Sequence, residues 1–442
     1  MTTEVQDPVR RLAVDVLTRV EEGDFLNEVL TEFDQRVDRG SQGVHRLHFL
    51  TIGTTKWRLR LDYELDFRLP KGLDSLPGPV RSALRLGLFE MRFGNAPDHA
   101  VVNSSVEAAR ALGYEGLCGL VNGVLRSAAR QGEPEAPAGG LEEQAVRASH
   151  PRWLLEAVQA QYGTEVVDPL TEWNNRPAPV WIRVDADRRS TQEALDHLLV
   201  YGLEGIGHTE LSGYIRLPSG TDPGGIEGLR EGWLTVQDPS AALAALAVGG
   251  ENRRVLDLCA APGGKTTHLV ELAKAGSEIV ATDADESRYA RLEQSVERHG
   301  RAGVVLRPYD MVLAEEGTFD AVLVDAPCSN LGVLRRRADA RWRITPEGVG
   351  HLSRIQGELL DRGGELVRAG GVLVYSTCTL LREENEDVVE KFLHRHDDYA
   401  VEALPEDVPE SFRSGTGTAV SLPWHHGIDG AFVARLRRRG SG

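Results

Sequence analysis

The second half of the chain repeats one pattern, a short apolar run, a turn, then a stretch of helical spacing. This pattern constrains the fold more than any other feature. Val255 to Cys259 ends at a Gly-rich turn that leads into Lys265 to Lys274. Glu278 to Asp283 is followed by a helical stretch from Glu286 to His299. Gly303 to Arg307, Phe319 to Asp325 and Gly371 to Thr377 are the third, fourth and fifth runs, with Pro346 to Val367 as a helix between the last two. Strands separated by helices pair in parallel, because each helix carries the chain back to the start of the next strand. The spacing predicts an α/β, Rossmann-like doubly wound sheet over residues 234–442. Such sheets bind ligands beyond the carboxyl ends of their strands.

The first 130 or so residues read differently. Asp7-Pro8 suits an N-cap and first turn, and Val9, Leu12, Ala13, Val16, Leu17 and Val20 follow at helical spacing. Further helices are predicted over His45 to Asp62, Pro79 to Arg92, Asp98 to Arg110 and Gly116 to Arg130, which gives an all-α domain over residues 1–132. Gln131 to Gly140, rich in Pro, Gly and Glu, reads as a linker. Residues 141–233 read as a small α/β module. Val180 to Val184 and Leu211 to Leu217 are its strands, and Ser190 caps a helix from Thr191 to Tyr201.

Composition removes several classes. The longest apolar run, Ala241 to Val248, is far below the ~18 to 20 residues that span a bilayer. Met1 to Arg11 has no apolar core of a secretory signal. Four Cys in 442 residues make no disulfide framework and point to a reducing compartment, hence to the cytoplasm. The net charge of −17, from 50 basic and 67 acidic residues, argues mildly against a polyanionic partner but leaves room for a local basic patch. Only five of the basic residues are Lys, which makes Lys265 a rare choice in its loop.

The chemistry-bearing residues collect at the predicted strand ends. In Cys259, Ala260, Ala261, Pro262, Gly263, Gly264 and Lys265, the two Gly allow close approach of a ligand, and the helix that follows offers free N–H groups. A phosphate or the carboxylate of a methionine-type moiety would suit it. The end of the loop matches a P-loop, but Cys259 stands where that motif has its first Gly. Asp283 ends the second strand, placed to accept from ribose hydroxyls. Loop and acid together fit NAD or S-adenosylmethionine, and the absence of G-x-G-x-x-G weakens NAD. Asp325 ends the fourth strand within Asp325-Ala-Pro-Cys328-Ser329. It could accept from the exocyclic amine of cytosine or serve as a metal-binding acid of Walker-B type. Cys378 ends the fifth strand. Fourth and fifth strands are usually neighbours in such sheets, so Cys328 and Cys378 are expected to face one pocket. A lone Cys is more often inert core, as expected for Cys118. Arg335, Arg336, Arg337, Arg341 and Arg343 with Trp342 suit phosphates and unstacked bases, although a solvated Arg-rich loop is the plainer reading. The basic tail Arg435 to Arg439 is ambiguous.

Residues 236–442 resemble the Sun/Fmu-type RNA cytosine-5 methyltransferases. The resemblance rests on Gln237-Asp238-Pro239-Ser240, the stretch Leu256 to Lys265, Asp283, Asp325 to Ser329, Tyr375-Ser-Thr-Cys378 and Glu383-Glu-Asn-Glu386. Residues 1–130 resemble a NusB-type helical RNA-binding domain, on His99-Ala-Val-Val-Asn103 and Val121-Asn-Gly-Val-Leu-Arg126. The combination is similar to the bacterial small-subunit ribosomal RNA members of the family. The resemblance implies S-adenosylmethionine along Cys259 to Lys265, with Asp283 on the ribose, Asp310 toward the adenine and Asp325 beside the reacting base. It implies Cys378 as the attacking thiol, Cys328 in product release, and a ferredoxin-like RNA-recognition layout for the middle module. RNA is the expected partner; a membrane or a metal is not, and a monomer is expected. The chain departs from the family pattern at Pro308-Tyr309-Asp310-Met311, at Asp238-Pro239, at Asn330-Leu331 before Gly332, and at Arg183-Val184-Asp185. Competing readings are the same reaction on transfer RNA, a non-catalytic RNA-binding assembly factor, and a P-loop nucleotide hydrolase.

Overall fold

The computed structural model describes residues 7–37, 42–137 and 139–440. The start of the expected signal-free N-terminus, through Gln6, and residue 138 of the expected linker lie outside the described residues. The chain forms two compact units, residues 1–175 with 336–343, and residues 176–335 with 344–442.

The first unit is helical. Asp7 caps the helix Pro8–Glu22 by accepting from the Arg10 N–H at 3.1 Å. The single helix expected over 45–62 is two, Gln42–Lys56 and Arg58–Asp66, which meet at Trp57. Gly78–Phe93, Asp98–Ala111 and Cys118–Gln131 fall close to their predicted ranges. The core is built from the apolar stripes of these helices, including Val14, Leu17, Leu30, Leu84, Leu88 and Leu125. Cys118 is buried within it, as expected. The unit does not stop at the expected boundary near 132. The segment after Gln131 is tacked to it, with the Tyr63 hydroxyl donating to the Glu135 carbonyl at 2.8 Å. Three more helices, Gly140–Ala148, Arg152–Tyr162 and Val167–Asn175, belong to it as well.

The second unit holds two sheets. The smaller has strands β1 (Trp181–Val184), β2 (Ile206–Gly207), β3 (Tyr214–Arg216) and β4 (Leu234–Val236), antiparallel in the order β2-β3-β1-β4. The helix Thr191–Val200, closed by a Ser190–Glu193 capping box, covers one face with Ala194 and Leu198. β4 lies beyond the expected boundary at Trp233, because Val236 pairs with Ile182.

The larger sheet has nine strands. They are β5 (Arg254–Asp257), β6 (Glu278–Ala281), β7 (Val304–Leu306), β8 (Phe319–Asp325), β9 (Val367–Thr377), β10 (Tyr399–Val401), β11 (Arg413–Gly415), β12 (Thr418–Ser421) and β13 (Ala431–Arg438). The parallel part runs β7-β6-β5-β8-β9, so the strand order reverses between β5 and β8. Alternate residues of β8 and β9 serve opposite layers. Ala321, Leu323, Val372 and Val374 pack on one side; Val322, Val324, Leu373 and Tyr375 pack on the other, against the helices Pro346–Leu366 and Glu386–Arg395. The basic tail is not a solvated end. It is β13, paired antiparallel to β9, with Arg435 on Glu402 and Arg438 on Asp398.

The two sheets are joined by charge. Arg183 on β1, buried to 2% exposure, donates from Nε and Nη2 to the two carboxylate oxygens of Glu271 at 2.8 Å each. His299 Nε2 lies 2.9 Å from Glu271 Oε1. Asp185, at the end of the same strand run, is held by Arg188 and Arg301.

Candidate active site

The loop after β5 wraps the N-terminus of the helix Gly264–Leu272. Gly263 has φ +105°, and a Cβ there would lie 2.9 Å from Ser295, so the turn demands glycine. No side chain caps this helix, so no side chain takes up its first-turn N–H groups. Asp283, at the end of β6, accepts from the Ala261 N–H at 3.1 Å and the Asp285 N–H at 3.0 Å. Arg288 fastens the loop from the other side by donating to the Ala261 carbonyl at 2.9 Å. Asp310 is exposed at the start of the helix Tyr309–Leu313 after β7.

Two acids flank the reversal point. Asp257, fully buried, accepts from the Thr266 hydroxyl at 2.7 Å, and burial raises its pKa to about 7 with help from the charge of Asp325. Asp325, at the end of β8, holds the Lys265 ammonium at 2.6 Å. Burial disfavours the charge on Lys265, but Asp325 outweighs burial and keeps it protonated, and Cys378 acts in the same direction. Cys259 stays a thiol, because burial and then the charges of Asp257 and Asp283 push its pKa up.

β8 and β9 are neighbours, as expected, and they bring Cys328 and Cys378 together with their sulfurs 3.2 Å apart. Cys378 Sγ–H donates to Asn330 Oδ1 at 3.3 Å, and Asn330 Nδ2 donates to the Cys328 carbonyl at 2.9 Å. Asn330 has φ +61°, a left-handed conformation that Asn tolerates. Gly332 admits the second loop, since a Cβ there would lie 2.7 Å from the Cys378 carbonyl. The hydrogen bond to Cys378, then burial, hold Cys328 protonated well above the usual thiol range. Chain spacing gave no signal for Asn330, Glu384 or Asp257 as parts of this site. Asn330 and Glu384 take partners from loops after other strands, and Asp257 takes the Thr266 hydroxyl from the following helix.

The predicted RNA-contact residues divide. Arg341 is fully buried in the helical unit and donates to the carbonyls of Lys56, Ser149 and Asn174 and to Asn175 Oδ1 at 2.9–3.4 Å. Trp342 donates to the Thr55 carbonyl at 2.6 Å. Arg343 donates to the Gly23 and Asp24 carbonyls and lies over the Phe25 ring. All three donate to the chain's own backbone, but only Arg341 is buried away from any nucleic-acid surface; Trp342 is half-buried and Arg343 is exposed. Arg335 donates to the Pro177 carbonyl, and Arg336 is partly buried, whereas Arg337 is exposed.

Fold and site together define a doubly wound α/β protein with a glycine-rich loop at the reversal of its sheet and a pair of thiols at the ends of the neighbouring strands. Three family models match the chain. One described as 16S rRNA methyltransferase RsmB/F covers residues 244–437, one of the NusB family covers 7–130, and an RsmF/B-like ferredoxin-like domain covers 150–222. The ribosomal RNA small subunit methyltransferase B of Citrobacter koseri is 32% identical over 441 residues, 98% of this chain and 99% of that protein. Its counterpart in Klebsiella pneumoniae strain 342 is 34% identical over 446 residues, 98% of each. Among solved structures, PH0851 matches with a TM-score of 0.84 at 24% identity, over 99% of this chain and 100% of that one. NSun6 from Pyrococcus horikoshii with SFG matches with a TM-score of 0.58 at 22% identity, over 66% and 99%. These two likenesses show the fold. The chain belongs to the RsmB/F family of small-subunit ribosomal RNA methyltransferases. Among the described residues, no helix is long and apolar enough to cross a membrane.

Proposed function

We propose that the protein methylates C5 of a cytosine in small-subunit ribosomal RNA, using S-adenosylmethionine and a transient bond between Cys378 and C6 of the base. The observation that carries this reading is the 3.2 Å thiol pair beside the Lys265–Asp325 ion pair. The pocket residues fit the cofactor. The uncapped helix start suits its carboxylate, Asp283 suits its ribose, and two buried polar atoms at the strand ends, Asp257 Oδ1 and Thr282 Oγ1, lack hydrogen-bond partners. Exposed Asp310 would accept from the adenine. When bound, the cofactor supplies a methyl group on a positively charged sulfur.

Cytosine C5 is a poor nucleophile, and thiolate addition at C6 moves electron density onto it. Cys378 adds as the thiolate, with the Cys328 sulfur 3.2 Å from it. Asp325 directs one carboxylate oxygen to Lys265, and the other is available to accept from the N4 amine of the base. After methylation a water molecule takes the C5 proton, the C5–H electron pair re-forms the C5–C6 double bond, and the C6–S bond breaks with its electrons going to Cys378, which leaves as a thiolate. The target base must be unstacked to reach these groups.

The test incubates protein and S-adenosylmethionine with protein-free small-subunit ribosomal RNA, with transfer RNA in parallel, and measures 5-methylcytidine by mass spectrometry. New 5-methylcytidine only in the ribosomal RNA supports the proposal, and product only in transfer RNA overturns the substrate class. Cys378→Ala should abolish turnover and still bind cofactor. Cys328→Ala should accumulate a protein–RNA adduct. The reverse pattern would exchange the two roles.

A further inference from the structure

Beside the thiols lies a carboxylate that the proposed reaction does not use. Glu384 is fully buried, yet its hydrogen bonds come from neutral groups. Oε1 accepts from the Ser329 N–H at 2.9 Å and from Gln356 Nε2 at 3.0 Å. Oε2 accepts from the Ser329 hydroxyl and from the Thr379 hydroxyl, the latter at 2.9 Å. Burying a charge without a cationic partner is costly and is tolerated only when several donors converge on it.

The donors are placed unusually. Ser329 directly follows Cys328 at the end of β8, and Thr379 directly follows Cys378 at the end of β9. Their hydroxyls are 2.8 Å apart, and both side chains are buried. Asn385 extends the grip, accepting from the Thr377 hydroxyl at 2.6 Å and donating to the Thr379 carbonyl at 3.3 Å. The residues on either side of Cys378 are therefore fixed from behind.

The geometry points to Glu384 as the positioning residue of the thiol pair: its carboxylate ties the loop carrying Cys328 to the loop carrying Cys378 and sets their sulfur–sulfur spacing. The inference rests on the two-thiol reading for its catalytic meaning but not for its geometry. A glutamine would fill the same space. Its amide would keep an acceptor for the Ser329 N–H and Gln356 Nε2 but turn the other position into a donor, so the Ser329 and Thr379 hydroxyls could no longer both donate to it.

The test reads the spacing without any methyl transfer. Phenylarsine oxide forms two arsenic–sulfur bonds to a pair of adjacent thiols, and its oxygen leaves as water with the two thiol protons. The unaltered protein should bind one equivalent tightly, and Cys328→Ser or Cys378→Ser should abolish this. Glu384→Gln and Thr379→Val should weaken arsenical binding about tenfold or more, the loss expected from a hydrogen bond to a charged group. Their kcat on RNA should fall about as far, while KM for S-adenosylmethionine stays within about twofold. Thr379→Ser, which keeps the hydroxyl, should restore both. Should Glu384→Gln fail to fold, the Val and Ser variants at 379 decide alone. Arsenical binding at the unaltered level in the Gln and Val variants would overturn the inference. Weakened binding with full turnover would leave the positioning role standing and overturn the two-thiol reaction instead.

Discussion

Asp283 shows what a single side chain contributes here. Its carboxylate accepts from the Ala261 and Asp285 N–H groups, so it shapes the loop after β5, and in the proposed function it also accepts from a ribose. Asp283→Ala should weaken S-adenosylmethionine binding by at least about tenfold in an equilibrium titration, the loss expected for hydrogen bonds to a charged acceptor. Unchanged affinity would refute the ribose assignment. Asp283, Asp325, Cys328 and Cys378 could be picked out in the sequence because each closes an apolar run, and strand ends are where such sheets hold ligands. Glu384 and Asn330 stood in stretches compared with the family, but nothing in the sequence assigned them a role, since that role is set by partners in loops after other strands. Asn330 reaches Cys378, 48 positions away, and Glu384 reaches Ser329, 55 positions away.

At the scale of the element, the Arg-rich segment is the instructive case. Five Arg in nine residues read as an outward-facing basic patch, but the segment packs into the helical unit. Ala338 enters its core, and Asp339 accepts from the Leu26 N–H at 3.2 Å. Arg341 is buried without a carboxylate, and desolvation lowers its pKa to about 9. Arg341→Met would strand several buried carbonyls and should destabilise the helical unit by about 3 kcal/mol in denaturant titration. Arg337→Met, on an exposed residue, should stay within about 0.5 kcal/mol. Equal effects would show that the buried hydrogen bonds of Arg341 carry no stability. An Arg guanidinium satisfies a phosphate or a set of backbone carbonyls with the same donors, so composition alone could not choose between them. The tail Arg435 to Arg439, ambiguous in the sequence, lies in β13 through Arg438, where its arginines are paired.

Across the whole molecule, buried titratable groups fix how stability follows pH. In the second unit, burial and then the charge of Arg183 push His268 down to about 3, and in the helical unit burial and then Arg341 push His150 well below its ordinary value. The unfolded chain protonates both near pH 6.5, so stability should fall as pH drops below that value. Asp257 acts in the opposite sense. Its raised pKa means that the fold takes up a proton the unfolded chain lacks between about pH 4 and pH 7, so its contribution is lost as pH rises. Asp257→Asn should therefore lose more Tm than the unaltered protein between about pH 7 and pH 5.5 in thermal unfolding without cofactor. An equal or smaller loss would contradict the raised pKa. The sequence by itself determined the helical first part, the order of strand, turn and helix in the second, and the strand ends that carry the chemistry, because periodicity and turn residues are local properties. Only the tertiary structure decided that residues 141–175 and 336–343 join the helical unit, that the C-terminal strands extend the sheet antiparallel, and that Glu384 lies behind the thiols. Those outcomes depend on which distant segments bury one another's apolar surface and satisfy one another's polar groups, and no short window of sequence contains that information.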